Sequence, residues 1–242
     1  MNILAMDTSN RALSVAVLSD DRILAEKTTD VNKNHSTTLL PAIDQILKDS
    51  HLTSDQIDRF VVAQGPGSYT GLRIGVTTAK TFAFTLHKEL VGVSSLASLA
   101  GNIRHTNALL VPLFDARRDN VFTGVYQRDD HGQLTNVVSD KHVPVAALIA
   151  QLKMLNEDII FIGTDVAHFA ERFRAAFGQQ AHFADDEANL PHASELGLLG
   201  AQKEAVKDIH AFIPHYLRRT QAENDWLKTH SDKGHQPYVE EV

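Results

Sequence analysis

Short runs of apolar residues, separated by one or two polar positions, dominate the first thirty residues and predict strands rather than helices. Ile3–Met6, Ala12–Leu18 and Arg22–Thr28 are such runs; the second alternates Leu13, Val15 and Val17, and the polar Ser19–Asp21 joins it to the third as a hairpin. The period then changes. In "HSTTLLPAIDQILKDS", Leu39, Ile43, Ile46 and Leu47 recur at helical spacing, with Ser and Thr placed to cap the start and Pro41 expected near the first turn. Phe60–Ala63 reads as a buried strand, and Leu72, Val76, Ala79, Ala83 and Leu86 mark a second amphipathic helix. "LVGV" opens another strand and Ser94–Ile103 a third helix, so the predicted order is β-β-β-α-β-α-β-α.

The second half repeats this plan. "LLVPLFDARRDNVFTGVYQRDD" overlays "ILAMDTSNRALSVAVLSDD" without a gap, placing Asp115 on Asp7, Val121 on Leu13 and Val125 on Val17. A polar hairpin to about Val143, the helix "VAALIAQLK", the strand "DIIFIGTD" and the helix "VAHFAERFRAAFG" follow, with "IIFIG" standing where "FVVAQG" stood. Recurrence of both order and spacing points to internal duplication of a βββαβα unit. The fold class expected is therefore α/β, built on a duplicated βββαβα unit, with an N-terminal domain over residues 1–106, a C-terminal domain over 107–228 and a flexible tail over 229–242.

Composition narrows the function classes. With 242 residues, 43% hydrophobic and 22% charged, the chain has enough apolar surface for a core and no run that suits a membrane span. "MNILAMDTSN" shows no basic, apolar leader, so a cytoplasmic location is expected. The absence of cysteine removes disulfides, thiolate metal sites and a cysteine nucleophile, and a net charge of -7 argues against autonomous binding to nucleic acid.

The segment "QGPGSYTGLRIGV" invites a test for phosphate binding. Gly71 is followed by Leu72 rather than the lysine of a Walker A loop, and Gly65, Gly67 and Gly71 are spaced G-x-G-x-x-x-G rather than G-x-G-x-x-G. A structural turn is the better reading, with weak anion affinity at the helix start beside Arg73 as the alternative. Behind it Gly75, Ala79 and Ala83 repeat every four residues, a smooth stripe against which a helix can pack closely: either the chain's own first helix or one from another subunit.

Other chemistry finds little support. The thirteen histidines include no pair three or four residues apart, as a helix-borne metal site needs, and no G-x-S-x-G elbow surrounds Ser68. No catalytic residue and no metal ligand is assigned. The acidic clusters fall in turns, and Arg117/Arg118 and Arg218/Arg219 read as solvated ion-pairing residues or contacts to RNA or a partner.

"DTS" at Asp7–Ser9 followed by "ALSVAV", "HSTTLLPAI" from His35, "GPGSYTGLRIGV" from Gly65 and "YLRRTQAE" from Tyr216 together resemble the TsaB family, the dimerisation subunits of the bacterial tRNA threonylcarbamoyladenosine machinery. The resemblance implies the two-domain, ribonuclease H-like fold of the actin, Hsp70 and sugar kinase superfamily. It implies pairing with a homologous catalytic subunit, TsaD, and with the ATPase TsaE, to modify the adenosine beside the anticodon. It also implies a dimer face on the first two helices, His35–Ser50 and Gly71–His87, and marks His35, Leu39, Ile43, Tyr69, Thr70, Arg73, Ile74, Gly75 and Ala79 as interface candidates. Asp7, Thr8 and Ser9 keep the acid and hydroxyls of the superfamily's first phosphate turn, whereas Asp115-Ala116-Arg117-Arg118 lacks glycine in the second. The expectation is a non-catalytic scaffold that requires no cofactor, with ATP or ADP at the subunit junction as a further option and tRNA reached through the complex. An ATP-binding phosphotransferase or ATPase of the same superfamily, and a homodimeric binding module, are the alternatives.

Overall fold

The computed structural model describes residues 1–29 and 34–218. Strands β1 (Asn2–Asp7), β2 (Leu13–Ser19) and β3 (Arg22–Thr29) form an antiparallel meander, followed by α1 (His35–Asp49), β4 (Arg59–Gly65), α2 (Tyr69–Leu86), β5 (Glu89–Ser94) and α3 (Ser95–Gly101). The plan returns as β6 (Leu109–Arg117), β7 (Asn120–Arg128), β8 (Leu134–Pro144), α4 (Val145–Lys153), β9 (Ile159–Ile162), α5 (Ala170–Phe177), β10 (Ala181–Phe183) and α6 (Ala193–Ala201). The first sheet has the order β3-β2-β1-β4-β5, and the second, read from its meander edge, β8-β7-β6-β9-β10. In both, the first strand runs antiparallel to the second and parallel to the fourth. Matching topology in the two halves is the structural form of the repeat read from Asp7 and Asp115.

Alternation along β1 divides the core of the first half. Leu4 and Met6 join Leu39, Ile43, Ile46, Val76, Ala79 and Ala83 under α1 and α2. Ile3 and Ala5 point the other way, against Ala193 and Leu196 of α6. The second sheet is covered by α4 and α5 on one face, through Leu148, Leu152, Phe173 and Phe177, and by Leu96, Leu99 and Ala100 of α3 on the other. The halves thus exchange covering helices, α3 lying on the second sheet and α6 on the first. A purely sequential division at 106/107 does not follow this packing: residues 193–212, expected within the C-terminal unit, complete the first sheet through α6 and the buried Phe212. The expected tail over 229–242 and the part of "YLRRTQAE" after Arg218 lie outside the described residues.

Polar contacts fix the same exchange. Ser94 at the end of β5 and Tyr126 on β7 both donate to Asp140 of β8, and burial together with the Asp140 charge pushes the Tyr126 phenol well above its ordinary range. Arg59 is 9% exposed, pairs with Glu89, and donates to the carbonyls of Gly200, Ala201 and Lys203 where α6 ends. At the other end of α6, Ala193 N donates to Ser14 Oγ and Ser194 N to Glu26, whose carboxylate also faces His192 at 3.6 Å.

Local chemistry explains most element boundaries. Asn34, rather than the expected Ser or Thr, caps α1, its side chain accepting from Ser36 N; Pro41 sits in the second turn, later than expected. Ser68 caps α2 by accepting from Gly71 N, and His87, in a left-handed conformation at φ 54°, ends it. No helix among the described residues is long and apolar enough to cross a membrane.

Candidate functional site

The glycine segment closes over the chain's own Asp7–Ser9 turn. Asp7 ends β1 and its Oδ1 accepts from Ser9 N at 2.8 Å, a small Asx turn repeated in the second half where Asp115 Oδ1 accepts from Arg117 N at 2.7 Å. Ser68 N donates to Ser9 O at 2.6 Å and Thr8 Oγ1 to Gly71 O at 2.7 Å. The approach is too close for side chains: a Cβ at Gly71 would lie 2.0 Å from Thr8 O, and one at Gly75 2.3 Å from Thr8 Oγ1. The glycines let a helix start against a strand turn, and the phosphate-cradle alternative is not needed to explain them.

This packing bears on the expected phosphate contacts. Asp7, Thr8 and Ser9 are 1%, 0% and 1% exposed, so no atom of the turn faces a cleft. Burial pushes the Asp7 carboxyl upward, partly offset by its bonds from Ser9, a poor setting for an anionic ligand with its cation. Ser9 Oγ has no partner among the described residues, but the chain's own atoms bury it. In the second half Arg117, Arg118 and Asp119 are exposed and hold left-handed conformations at φ 64°, 55° and 60°, and Asp119 pairs with Arg172. The first turn is sealed by the chain's own packing and leaves no room for a nucleotide's phosphates; the second is exposed but has no glycine and carries two arginines. Asp7, Thr8 and Ser9, the expected phosphate-contact candidates, take part here in packing the turn against α2.

The interface candidates divide by direction. Leu39, Ile43 and Ala79 are 1%, 2% and 0% exposed and Gly75 is buried beside Thr8 and Val62, so these point into the protein. The small-residue stripe faces inward, Gly75 onto the Asp7–Ser9 turn and Val62, and Ala79 and Ala83 into the core shared by the first sheet and the chain's own α1. That corrects the assignment of Gly75, Ala79, Leu39 and Ile43 to a contact surface. Tyr69, Thr70 and Arg73 are exposed, Ile74 and His35 half-buried, and these remain on the outer side.

Between α1 and α2 that outer side forms a groove. Two adjoining hollows of about 370 and 360 Å3 share Leu40, Thr77 and Thr78; one adds Thr81, Phe82, Thr85 and Leu86, the other Ser36, Arg73 and Ile74. Leu40 and Phe84 are 55% and 51% exposed. Only Arg73 and Lys80 carry charge in the sequence of α2, and Lys80 donates to the carbonyls of His210 and Phe212, holding the segment that crosses the helix's far flank. Near the start of α2, Tyr69 stacks on Tyr216 with centroids 4.9 Å apart while Arg73 lies over the Tyr69 ring and bonds Tyr216 Oη. Leu40, Thr77, Thr78, Thr81, Phe82 and Thr85 escaped the sequence reading. Their signal was a charge-poor outward face on a long amphipathic helix, where a solvent-facing helix ordinarily carries charge.

Two sheets of the same β-α topology, with helices exchanged between them, define the class of actin-like and sugar-kinase folds. A ROK hexokinase from Thermus thermophilus shares that fold at TM-score 0.50 and 9% identity, covering 83% of this chain and 98% of its own. A Pseudomonas aeruginosa protein described as similar to the peptidase YeaZ superposes at TM-score 0.75 with 30% identity, over 90% of this chain and 99% of that one. Residues 22–226 match the family model of TsaD, tRNA N6-adenosine threonylcarbamoyltransferase. The tRNA threonylcarbamoyladenosine biosynthesis protein TsaB of Bacillus subtilis is 42% identical over 95% of this chain and 99% of its own length. The chain belongs to the TsaB family of tRNA threonylcarbamoyladenosine biosynthesis proteins.

Proposed function

We propose that the protein is a cytoplasmic scaffold subunit of tRNA threonylcarbamoyladenosine synthesis that binds and activates a homologous, TsaD-like catalytic subunit through the α1–α2 groove. A TsaE-like ATPase and tRNA join through that complex. The observation that carries this reading is the pairing of a sealed phosphate turn with an open, charge-poor helix face. Asp7–Ser9 is buried, whereas Leu40 is 55% exposed beside Thr77, Thr78, Thr81 and Thr85.

The energetics favour a helix-bearing partner. α2 has 18 residues, about 27 Å of axis at 1.5 Å per residue, and the groove beside it accepts side-chain ridges from a second helix pair. Threonine hydroxyls can bond back to their own helix, as Thr81 does to Thr77 O at 2.8 Å, so burying them leaves methyl groups to pack with little polar cost. A nucleic acid would need the charge this face lacks.

Reconstitution tests the reading. Threonylcarbamoyl transfer to tRNA is expected from the TsaD-like subunit, the TsaE-like ATPase and this chain together, and not when this chain is omitted or acts alone. Full transfer without it would reject the scaffold role. Turnover by the isolated chain, abolished by Asp7→Ala, would favour the phosphotransferase alternative. A stable homodimer that refuses the catalytic homologue would favour the self-binding module.

A further inference from the structure

The Asp7–Asn10 turn touches both helices of the groove at their starts. On one side Thr8 Oγ1 donates to the carbonyl of Gly71, the third residue of α2, and Ser9 O accepts from the capping residue Ser68. On the other, His35, the first residue of α1, donates from Nε2 to Asn10 O at 2.7 Å. The carbonyl can only accept, which fixes the imidazole tautomer. The turn is itself braced, since Asp7 holds Ser9 N and the end of β1 pairs with both β2 and β4. Little slack remains on the α2 side: besides Gly71 and Gly75, a Cβ at Gly67 would lie 2.2 Å from Ser9 O.

Two helices that start on one rigid turn cannot shift independently. We propose that Thr8 and His35 are positioning residues: through the Asp7–Asn10 turn they set the relative placement of α1 and α2, and with it the shape of the groove that the partner enters. The buried turn thereby serves as an internal gauge for the docking surface. The second half shows the same connection in exposed form, where Asp119 O accepts from Val145 N at the start of α4 and the Asp119 carboxylate pairs with Arg172 of α5. The inference rests on the docking reading above but can be tested separately.

The chain has no cysteine, so Gln45→Cys and Thr85→Cys place one spin label on each helix of the isolated protein. Thr8→Val and His35→Phe are expected to shift or broaden the distance distribution between labels. In unlabelled protein each should weaken binding of the catalytic homologue about fivefold or more, the loss of about one hydrogen bond's net worth. Thr8→Ser and His35→Gln, which keep a donor, should restore both quantities; a merely stabilising role would lower melting temperature and leave the distances alone. Unchanged distances, or altered distances with unchanged affinity, would overturn the proposal. If the unsubstituted chain does not bind the homologue, the docking reading fails on that result and the label distances alone decide whether the turn sets the helices. If Thr8→Val does not fold, the His35 pair of variants decides.

Discussion

At residue scale, burial decides what each side chain of the glycine segment can do. Gly75 sits 2.3 Å, by the reach of an added Cβ, from Thr8 Oγ1, and Ala79 is fully buried, so neither can accept volume. Gly75→Leu and Ala79→Leu are expected to destabilise the fold by about 1–3 kcal/mol or more, measured by urea unfolding, with the loss in Gly75→Leu the greater. Lost pairing with undiminished stability would contradict the inward orientation. Titration at the start of α6 gives a second prediction. The Glu26 carboxylate, 3.6 Å away, raises the His192 pKa against the opposing effect of burial; burial acts to raise Glu26, but the nearby His192 and the bond from Ser194 N outweigh this and hold it low. A raised histidine contributes stability that is full below its unfolded value near 6.5 and is lost as pH rises through the higher folded value. The lowered carboxylate contributes above its unfolded value of 4.5 and loses that contribution as pH falls through the lower folded one. His192→Gln should therefore flatten the decline in stability on the alkaline side of pH 6.5; an unchanged profile of denaturation midpoint against pH would refute the linkage.

Among the elements, α6 and α2 show what sequence could and could not disclose. Strands with clear alternation, such as Leu13, Val15 and Val17, and helices with a strong apolar stripe, such as Val145–Lys153, were legible because the local period matches the face that packs: the three β2 residues share one core and Ala16 and Leu18 the other. α6 was missed: its apolar and small residues pack among the first sheet, so little polar contrast marks its period. The Gly75-Ala79-Ala83 stripe was legible as a close-packing face but its partner was not, because small residues mark close approach without saying to what; it packs into the core beneath α1 and against the Asp7–Ser9 turn. Capping of α1 by Asn34 depended on which of several neighbouring polar side chains reached a free N–H. Arg59 illustrates a role invisible in sequence, closing the C-terminal end of a helix far along the chain. Arg59→Met removes these charge-assisted bonds and is expected to cost about 2–3 kcal/mol, read from thermal or urea unfolding, and to raise hydrogen exchange in 193–203. Equal exchange in both proteins would show that α6 does not depend on that contact.

Taken as a whole, the molecule is a duplicated frame whose two halves have diverged in opposite ways. The first half buries its Asp turn and presents two helices; the second leaves its turn exposed and lends α6 to the first sheet. Topology and repeat were readable from the recurrence of Asp7 as Asp115, and the motifs carrying the family resemblance spanned both halves. The outward groove was not, because Leu40, Thr77 and Thr78 sit on helices whose stronger periodicity points inward. The most direct test is a calorimetric titration of the TsaD-like subunit with the unsubstituted chain and with Thr78→Arg, which puts a charge where the two hollows meet without touching the core. The account predicts a one-to-one complex for the unsubstituted chain, and for Thr78→Arg a melting temperature within about 2 °C of it with affinity at least tenfold weaker, since an unpaired buried charge costs more than 1.4 kcal/mol. Equal affinity in the two titrations would contradict it.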